Sequence, residues 1–222
     1  MVTLDIEDNS IKMMVVTGKQ VETAASLPLE PGVVRDGVVI DTATVSQRLT
    51  ELLSAHGINE KKVVVSISGI HSIYRVVNIP KLPNKLMEEA AKREMERLMP
   101  VPLNELYTSW QAINVSDIDT VICLVGMPRS TVDAMLETLR QAGLQAEVMD
   151  VRPLALARVA DERDALIINA KPFGFDIVVM IDGIPELLRS LPFPAGAASP
   201  DEKIAEVKEE LERTVGFYNS SH

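Results

Sequence analysis

Apolar and polar residues alternate over the first part of the chain, and short polar turns at 7–10 and 18–19 interrupt the alternation. A period of two is typical of half-buried strands, so the sequence predicts a three-stranded meander. The predicted strands cover residues 2–6, 11–16 and 20–27. The period then changes, because Val45, Leu49 and Leu52 recur at helical spacing, which predicts a helix over 42–56 that ends at Gly57.

The middle of the chain predicts a small α-β-β-α-β unit. Strands are predicted over 62–68 and 73–79, and Pro80 and Pro83 stop that pattern because proline cannot continue a ladder. The unit that follows comprises a helix over 84–99, strands over 106–115 and 120–127, a helix with Ser130 as N-cap and Gly143 just past its end, and a strand over 145–149.

In the last third of the chain the pattern again predicts strands joined by a turn, as at the N-terminus. The predicted elements are a helix over 151–160 and strands over 165–168 and 177–181, separated by a loop at 169–176. Ser199 and Glu202 have the spacing of a capping box with Pro200 at the first helical position, which predicts a final long helix. Three units are therefore predicted, over 1–79, 80–150 and 151–222.

Composition narrows the function classes. The 222 residues include 22 Lys and Arg against 32 Asp and Glu, a net charge of −10, which disfavours nucleic acid as a partner. Cys123 is the single cysteine, so no intramolecular disulfide is possible, and no Cys or His cluster predicts a metal site. A signal-like N-terminus and an apolar run of ~18 residues are both missing, which predicts a cytoplasmic protein.

Four stretches carry a resemblance to a known family. Residues 4–12 read Leu-Asp-Ile-Glu-Asp-Asn-Ser-Ile-Lys, similar to an Asp-Ile-Gly phosphate motif followed by small polar residues, an apolar residue and a lysine. The second stretch is 79–102, which begins with Ile-Pro, and the third is 141–158. The fourth is the hairpin 166–192, which contains the pairs Asp182-Gly183 and Arg189-Ser190. Together they resemble the type IV pilus assembly protein M (PilM) family of the actin-like ATPase superfamily, a relative of FtsA.

This resemblance implies an α/β, actin-like (ribonuclease H-like) fold with an inserted small α+β subdomain and a reduced second half. It also implies a site for ATP and magnesium at the two phosphate motifs. The residues at the matching positions are Asp5, Ser10, Lys12 and Asn169, and no catalytic or metal-binding residue is assigned. An ordinary polar hairpin is the alternative interpretation of the first three.

The chain also departs from the family pattern. Glu7 replaces the motif glycine and Asp8 follows it, which places negative charge where a polyphosphate is expected, although Lys171 could offset it. Asn169 replaces the carboxylate of the second motif. After the double-glycine position at Ala195-Gly196 the sequence passes almost directly to the last helix, so a smaller second half without the Gly-rich adenosine motif is expected. ATP hydrolysis is therefore not expected.

Three function hypotheses follow from the resemblance. The first is a scaffold of type IV pilus or competence assembly that binds the cytoplasmic N-terminal peptide of a membrane-anchored partner, PilN, in the groove between the first and the inserted units. Its contact with the membrane would then be through that partner alone. The second is an ATP-binding switch that controls partner binding, and the third is a self-assembling filament.

Other residues invite functional interpretations with simpler alternatives. The methionines of the predicted helix 84–99 either belong to the core or form a face for a partner helix. Cys123 lies in an apolar segment, which favours a buried, inert thiol. Ser66 and Ser68 lie near His71, but no strand-turn-helix elbow surrounds either serine, so hydrolase chemistry is not expected there.

Overall fold

The computed structural model describes residues 1–194 and 199–221. The predicted double-glycine position at Ala195-Gly196 lies outside these residues. The strands are β1 (Val2–Glu7), β2 (Ser10–Thr17), β3 (Gln20–Pro28), β4 (Val34–Arg35), β5 (Val38–Val39), β6 (Lys62–Ile67), β7 (Ile73–Pro80), β8 (Leu106–Val115), β9 (Asp119–Pro128), β10 (Gln145–Val151), β11 (Ala165–Ala170), β12 (Gly174–Ile181) and β13 (Ile184–Pro192). The helices are α1 (Thr42–Ala55), α2 (Asn84–Leu98), α3 (Arg129–Gln141), α4 (Arg152–Ala160) and α5 (Pro200–Ser221).

A five-stranded sheet with the order β10-β6-β1-β2-β3 forms the first layer of the fold. Strands β1, β2 and β3 are antiparallel, which confirms the predicted meander, while β6 is parallel to both β1 and β10. Alternate residues of each strand point to one face of the sheet, and there they pack against the apolar faces of α1 and α3. The core of this layer includes Val2, Leu4, Ile6, Ile11, Val45, Leu49, Val63, Val65 and Leu139.

A second sheet, with the order β7-β9-β8, is covered on one face by α2. Ile122 and Leu124 of β9 are fully buried beneath this helix. The three methionines Met87, Met95 and Met99 are also buried in this cluster, so they belong to the core. The opposite face of the sheet carries Tyr74 and Cys123.

A third sheet, β11-β12-β13, contacts the first sheet through α4 and the second sheet through β13. This helix contacts β6 and β10 of the first sheet and all three strands of the third, while β13 contacts β7 of the second. The final helix, α5, begins with the predicted capping box: the Ser199 amide donates to the Glu202 carboxylate at 2.9 Å, and the Glu202 amide donates to the Ser199 hydroxyl at 3.2 Å.

The pairing of strands differs from the predicted grouping of elements. β10 was expected in the inserted unit, but it pairs in parallel with β6, and α3 supplies the crossover that a parallel connection requires. β7 was expected in the first unit, but it pairs with β9. The unit boundaries at 79/80 and 150/151 stay a prediction.

Two local predictions were wrong. Ser130 is not an N-cap, because α3 begins at Arg129 directly after Pro128. The predicted loop 169–176 is mostly strand, because the hydrogen-bonded pairing of β11 with β12 continues to Ala170 and Phe175.

The packing of α2 on the second sheet gives a direct stability prediction. Ile122→Ala should lower the free energy of unfolding by about 2–5 kcal/mol, since it removes a fully buried side chain and leaves a cavity. Ile118→Ala is the matched control, because the Ile118 side chain is 80% exposed and should contribute little. Urea unfolding of both variants measures the difference, and equal midpoints would contradict the assigned core.

Candidate functional site

A cluster of charged side chains lies where the β1–β2 turn, the start of α4 and the β11–β12 turn meet; we call it the charged cleft. At its centre the Arg152 guanidinium donates to Asp5 Oδ1 at 3.0 and 3.2 Å. The same guanidinium lies 3.3 Å from Glu7 Oε1. Both Arg152 and Glu7 are buried, so their charges are strongly coupled.

The antiparallel register of β1 and β2 sets the positions of the predicted phosphate-site residues on these strands. Asp5 is paired with Lys12 across the hairpin, and Glu7 is paired with Ser10. The Lys12 ammonium forms an ion pair with Glu7. The buried Ser10 hydroxyl donates to Asn9 Oδ1 at 3.3 Å. Asp5 and Lys12 thus belong to the charged cleft, but each already has an ionic partner, Arg152 for Asp5 and Glu7 for Lys12.

Asp8, in the β1–β2 turn, binds a neighbouring loop. Its carboxylate accepts hydrogen bonds from the backbone amides of Asp36 at 2.8 Å and Gly37 at 2.9 Å. Gly37 has a φ of +76°, and a Cβ at this position would lie 2.1 Å from Cβ of Ser68. Only glycine therefore allows this close approach of the loop. Consecutive backbone amides of this kind form a typical anion-binding arrangement.

The β11–β12–β13 hairpin contributes a second cluster beside the charged cleft. Asp176 is almost completely buried and accepts hydrogen bonds from Asn169 Nδ2 at 2.9 Å and from the Ser190 hydroxyl at 2.6 Å. The Lys171 ammonium lies 3.5 Å from Asp176. Burial and the nearby charge of Arg152 lower the pKa of Lys171, although the surrounding carboxylates oppose this shift. Lys171 is thus a member of the cluster, not a solvated loop residue.

The space left inside the charged cleft is small. Its cavity volume is about 30 Å³, against roughly 300–1,000 Å³ for typical small-molecule sites. That volume holds only one or two water molecules. The cations and amide donors of the cleft contact protein carboxylates, so the residues present do not fit a nucleoside triphosphate and its magnesium ion.

Sequence reasoning missed the role of Arg152. Arg152 lies 147 positions from its partner Asp5 in the sequence, so no local pattern pairs the two residues. The sequence did contain one indication of this role, the excess of acidic residues over 4–12. Buried acidic side chains need a positively charged partner, which must then come from elsewhere in the chain.

A larger groove separates the open face of the β7-β9-β8 sheet from α4; we call it the α4 groove. Its volume is about 410 Å³. Its lining residues include Tyr74, Gln111, Ile113, Cys123, Leu154, Ala157, Arg158 and Met180. Charged side chains, those of Asp161, Glu162 and Arg163, also line the groove, so it is suited to a ligand with both apolar and polar groups.

One buried polar atom beside the α4 groove lacks a partner. Tyr74 is 7% exposed, and within residues 1–194 and 199–221 its hydroxyl has no hydrogen-bond partner. Burial raises the pKa of Tyr74, and the nearby Cys123 and Glu186 add to the shift. Burial also raises the pKa of the Cys123 thiol, as expected for an inert cysteine.

The described residues show neither a membrane-spanning helix nor a group of metal ligands. None of the described helices combines the length and the apolar character needed to span a bilayer. Across the described part of the chain, no group of three His, Cys, Asp or Glu side chains is arranged to hold a metal ion.

Comparison with known proteins identifies the family. The family described as type IV pilus assembly protein PilM matches residues 3–184. This chain belongs to the PilM family. A solved PilM-PilN type IV pilus biogenesis complex contains a chain with 26% identity and a TM-score of 0.83, with 98% of this chain and 77% of that chain covered.

Two more distant structures share the fold. The cytoplasmic domain of EpsL from Vibrio cholerae, an inner-membrane component of the type II secretion system, has 12% identity and a TM-score of 0.57, with 86% of this chain and 70% of that chain covered. A Bacteroides thetaiotaomicron protein with an actin-like ATPase fold has 10% identity and a TM-score of 0.52, with 96% and 76% covered. The expected actin-like fold of this PilM-family chain is confirmed.

The ion pairs of the charged cleft predict a large effect of one substitution. Arg152→Leu should lower the free energy of unfolding by about 3–5 kcal/mol, because it leaves Asp5 and Glu7 without their buried counter-charge. Arg163→Leu removes an exposed ion pair with Asp182 and should have little effect. Denaturant unfolding of both variants measures the contrast. Similar losses in the two variants would contradict the central role of Arg152.

Proposed function

We propose that this chain is a cytoplasmic, actin-like scaffold of type IV pilus or competence assembly. In this role it binds the cytoplasmic N-terminal tail of a PilN-like protein anchored in the inner membrane. Contact with the inner face of the membrane is made through that partner, and no ATP hydrolysis is required. Membership of the PilM family and the similarity to a PilM-PilN complex support the choice of partner.

The observation that carries the proposal is the match of residues 3–184 to the PilM family, together with the similarity to a chain of a PilM-PilN complex. The α4 groove is the surface that we propose for the tail peptide. Ile113, Leu154 and Ala157 in this groove accept aliphatic side chains of the peptide. The groove volume, about 410 Å³, suits a short extended segment.

The α4 groove borders the inserted unit. One wall is the β7-β9-β8 sheet, which contains strands β8 and β9 of that unit. The other wall is α4, which belongs to the 151–222 unit and contacts β6 and β10 of the first sheet. A tail bound in this groove would therefore contact the inserted unit directly, although the family resemblance implies a site on the side of the first unit. By contrast, the charged cleft gives the ATP-switch hypothesis little support, because its donors already contact carboxylates.

The test is calorimetric titration with a synthetic peptide that covers the cytoplasmic N-terminus of the PilN homologue from the same genome. Saturable binding at one site is expected. Ile113→Asp should weaken binding about 10-fold or more, since it places a charge among the apolar residues of the groove. Because Ile113 is only partly buried in the free protein, this variant should still fold, which its melting temperature measures.

Val115→Asp is the matched control for this titration. Val115 lies on β8 outside the groove and is 59% exposed. This substitution should leave peptide affinity unchanged. If the folded wild-type protein does not bind at millimolar peptide, the proposed function is wrong. If Ile113→Asp binds as tightly as the wild type, the peptide site lies elsewhere.

A further inference from the structure

Four donors in the charged cleft together have the composition of an oxyanion site; we call them the anion cradle. They are the Arg152 guanidinium, the Lys171 ammonium and the backbone amides of Asp36 and Gly37. Guanidinium groups and consecutive backbone amides are the donors that bind phosphate groups in proteins. Glu7 and Asp8 lie next to each other in the chain and face this cradle.

We propose that Glu7 and Asp8 are built-in ligands of an oxyanion site. Their carboxylates occupy the anion cradle in place of a phosphate group and close the cleft without any bound nucleotide. A carboxylate offers the same acceptor chemistry as a phosphate oxygen, with less charge. The chain thereby supplies its own anion at the position where its family resemblance implies a phosphate.

Glu7 and Asp8 contact three of the four cradle donors, while the fourth, Lys171, contacts Asp176. Asp8 uses both carboxylate oxygens, one for each backbone amide, at 2.8 and 2.9 Å. Glu7 contacts Arg152 with one oxygen and Lys12 with the other. The remaining volume of about 30 Å³ excludes a phosphate group unless a side chain moves.

Close backbone packing keeps the cleft shut around these groups. A Cβ on Gly69 would lie 2.2 Å from the Ser190 hydroxyl oxygen and 2.8 Å from Cγ of Pro153. The β6–β7 loop therefore contacts both α4 and the β12–β13 hairpin directly. Closure of this kind requires the anion inside the cleft to be small, which a side-chain carboxylate is.

Charge balance gives the proposal a measurable consequence. The Arg152, Lys12 and Lys171 cations share the cleft with four carboxylates, which are those of Asp5, Glu7, Asp8 and Asp176. Without Glu7 and Asp8, three cations face two carboxylates, and the backbone amides of Asp36 and Gly37 lose their acceptor. The double variant Glu7→Gly/Asp8→Ala therefore has both the charge and the space to take an external oxyanion.

The experiment compares thermal unfolding in sodium pyrophosphate and in sodium chloride at matched ionic strength. The wild-type protein should give the same melting temperature in both salts. Glu7→Gly/Asp8→Ala should melt at a lower temperature in chloride, and pyrophosphate should restore part of the loss in a saturable way. The control Glu22→Gly/Asp117→Ala removes two exposed carboxylates, so it has the same net charge but should not respond to pyrophosphate.

A milder variant covers the case in which the double variant does not fold. Asp8→Ala keeps the Glu7–Arg152 ion pair and frees only the amides of Asp36 and Gly37. Added phosphate should then shift the NMR signals of these two amides in Asp8→Ala but not in the wild type. The proposal is overturned if pyrophosphate specifically stabilises the wild type. It is also overturned if the folded variants respond to neither anion at tens of millimolar concentration.

Discussion

The buried contact of Arg152 with Asp5 and Glu7 is the interaction on which the arrangement of the chain depends. It connects β1, at the beginning of the sequence, to the first residue of α4, 147 positions later. Buried ion pairs gain little net energy over apolar packing, but the loss of one partner is costly because the other charge stays buried. Glu7 and Arg152 therefore stabilise each other's charge, and Lys12 and Asp5 provide each of them with a second partner.

The same helix connects the charged cleft to the α4 groove. Arg152 lies at its first residue in the cleft, while Leu154, Ala157 and Arg158 line the groove. Because α4 is a short rigid element that contacts two sheets, the position of the groove wall depends on the ion pairs at its N-terminus. In a protein that binds nucleotide, occupancy of the cleft would change with the nucleotide state. A cleft filled by side-chain carboxylates instead gives the groove a constant shape.

Local sequence patterns predicted the local structure well. The alternation in β1, β2 and β3 and the capping box of α5 were confirmed, because strand alternation and helix capping both depend on neighbouring residues. The membership of β10 in the first sheet was not predicted, since periodicity does not identify the partner of a parallel strand. Asp5, Lys12 and Asn169 lie in or beside the charged cleft, but the sequence did not predict their ionic or hydrogen-bonding partners. Arg152 and Asp176 reach the cleft only through tertiary packing.

The central claim is that partner binding does not depend on nucleotide, because the chain supplies the anions of its own cleft. The most direct test is the affinity for the PilN-derived peptide, measured by calorimetry with and without millimolar Mg-ATP. The account predicts saturable binding with the same dissociation constant in both conditions. Binding only in the presence of Mg-ATP, or a tenfold or larger change in affinity, would contradict it.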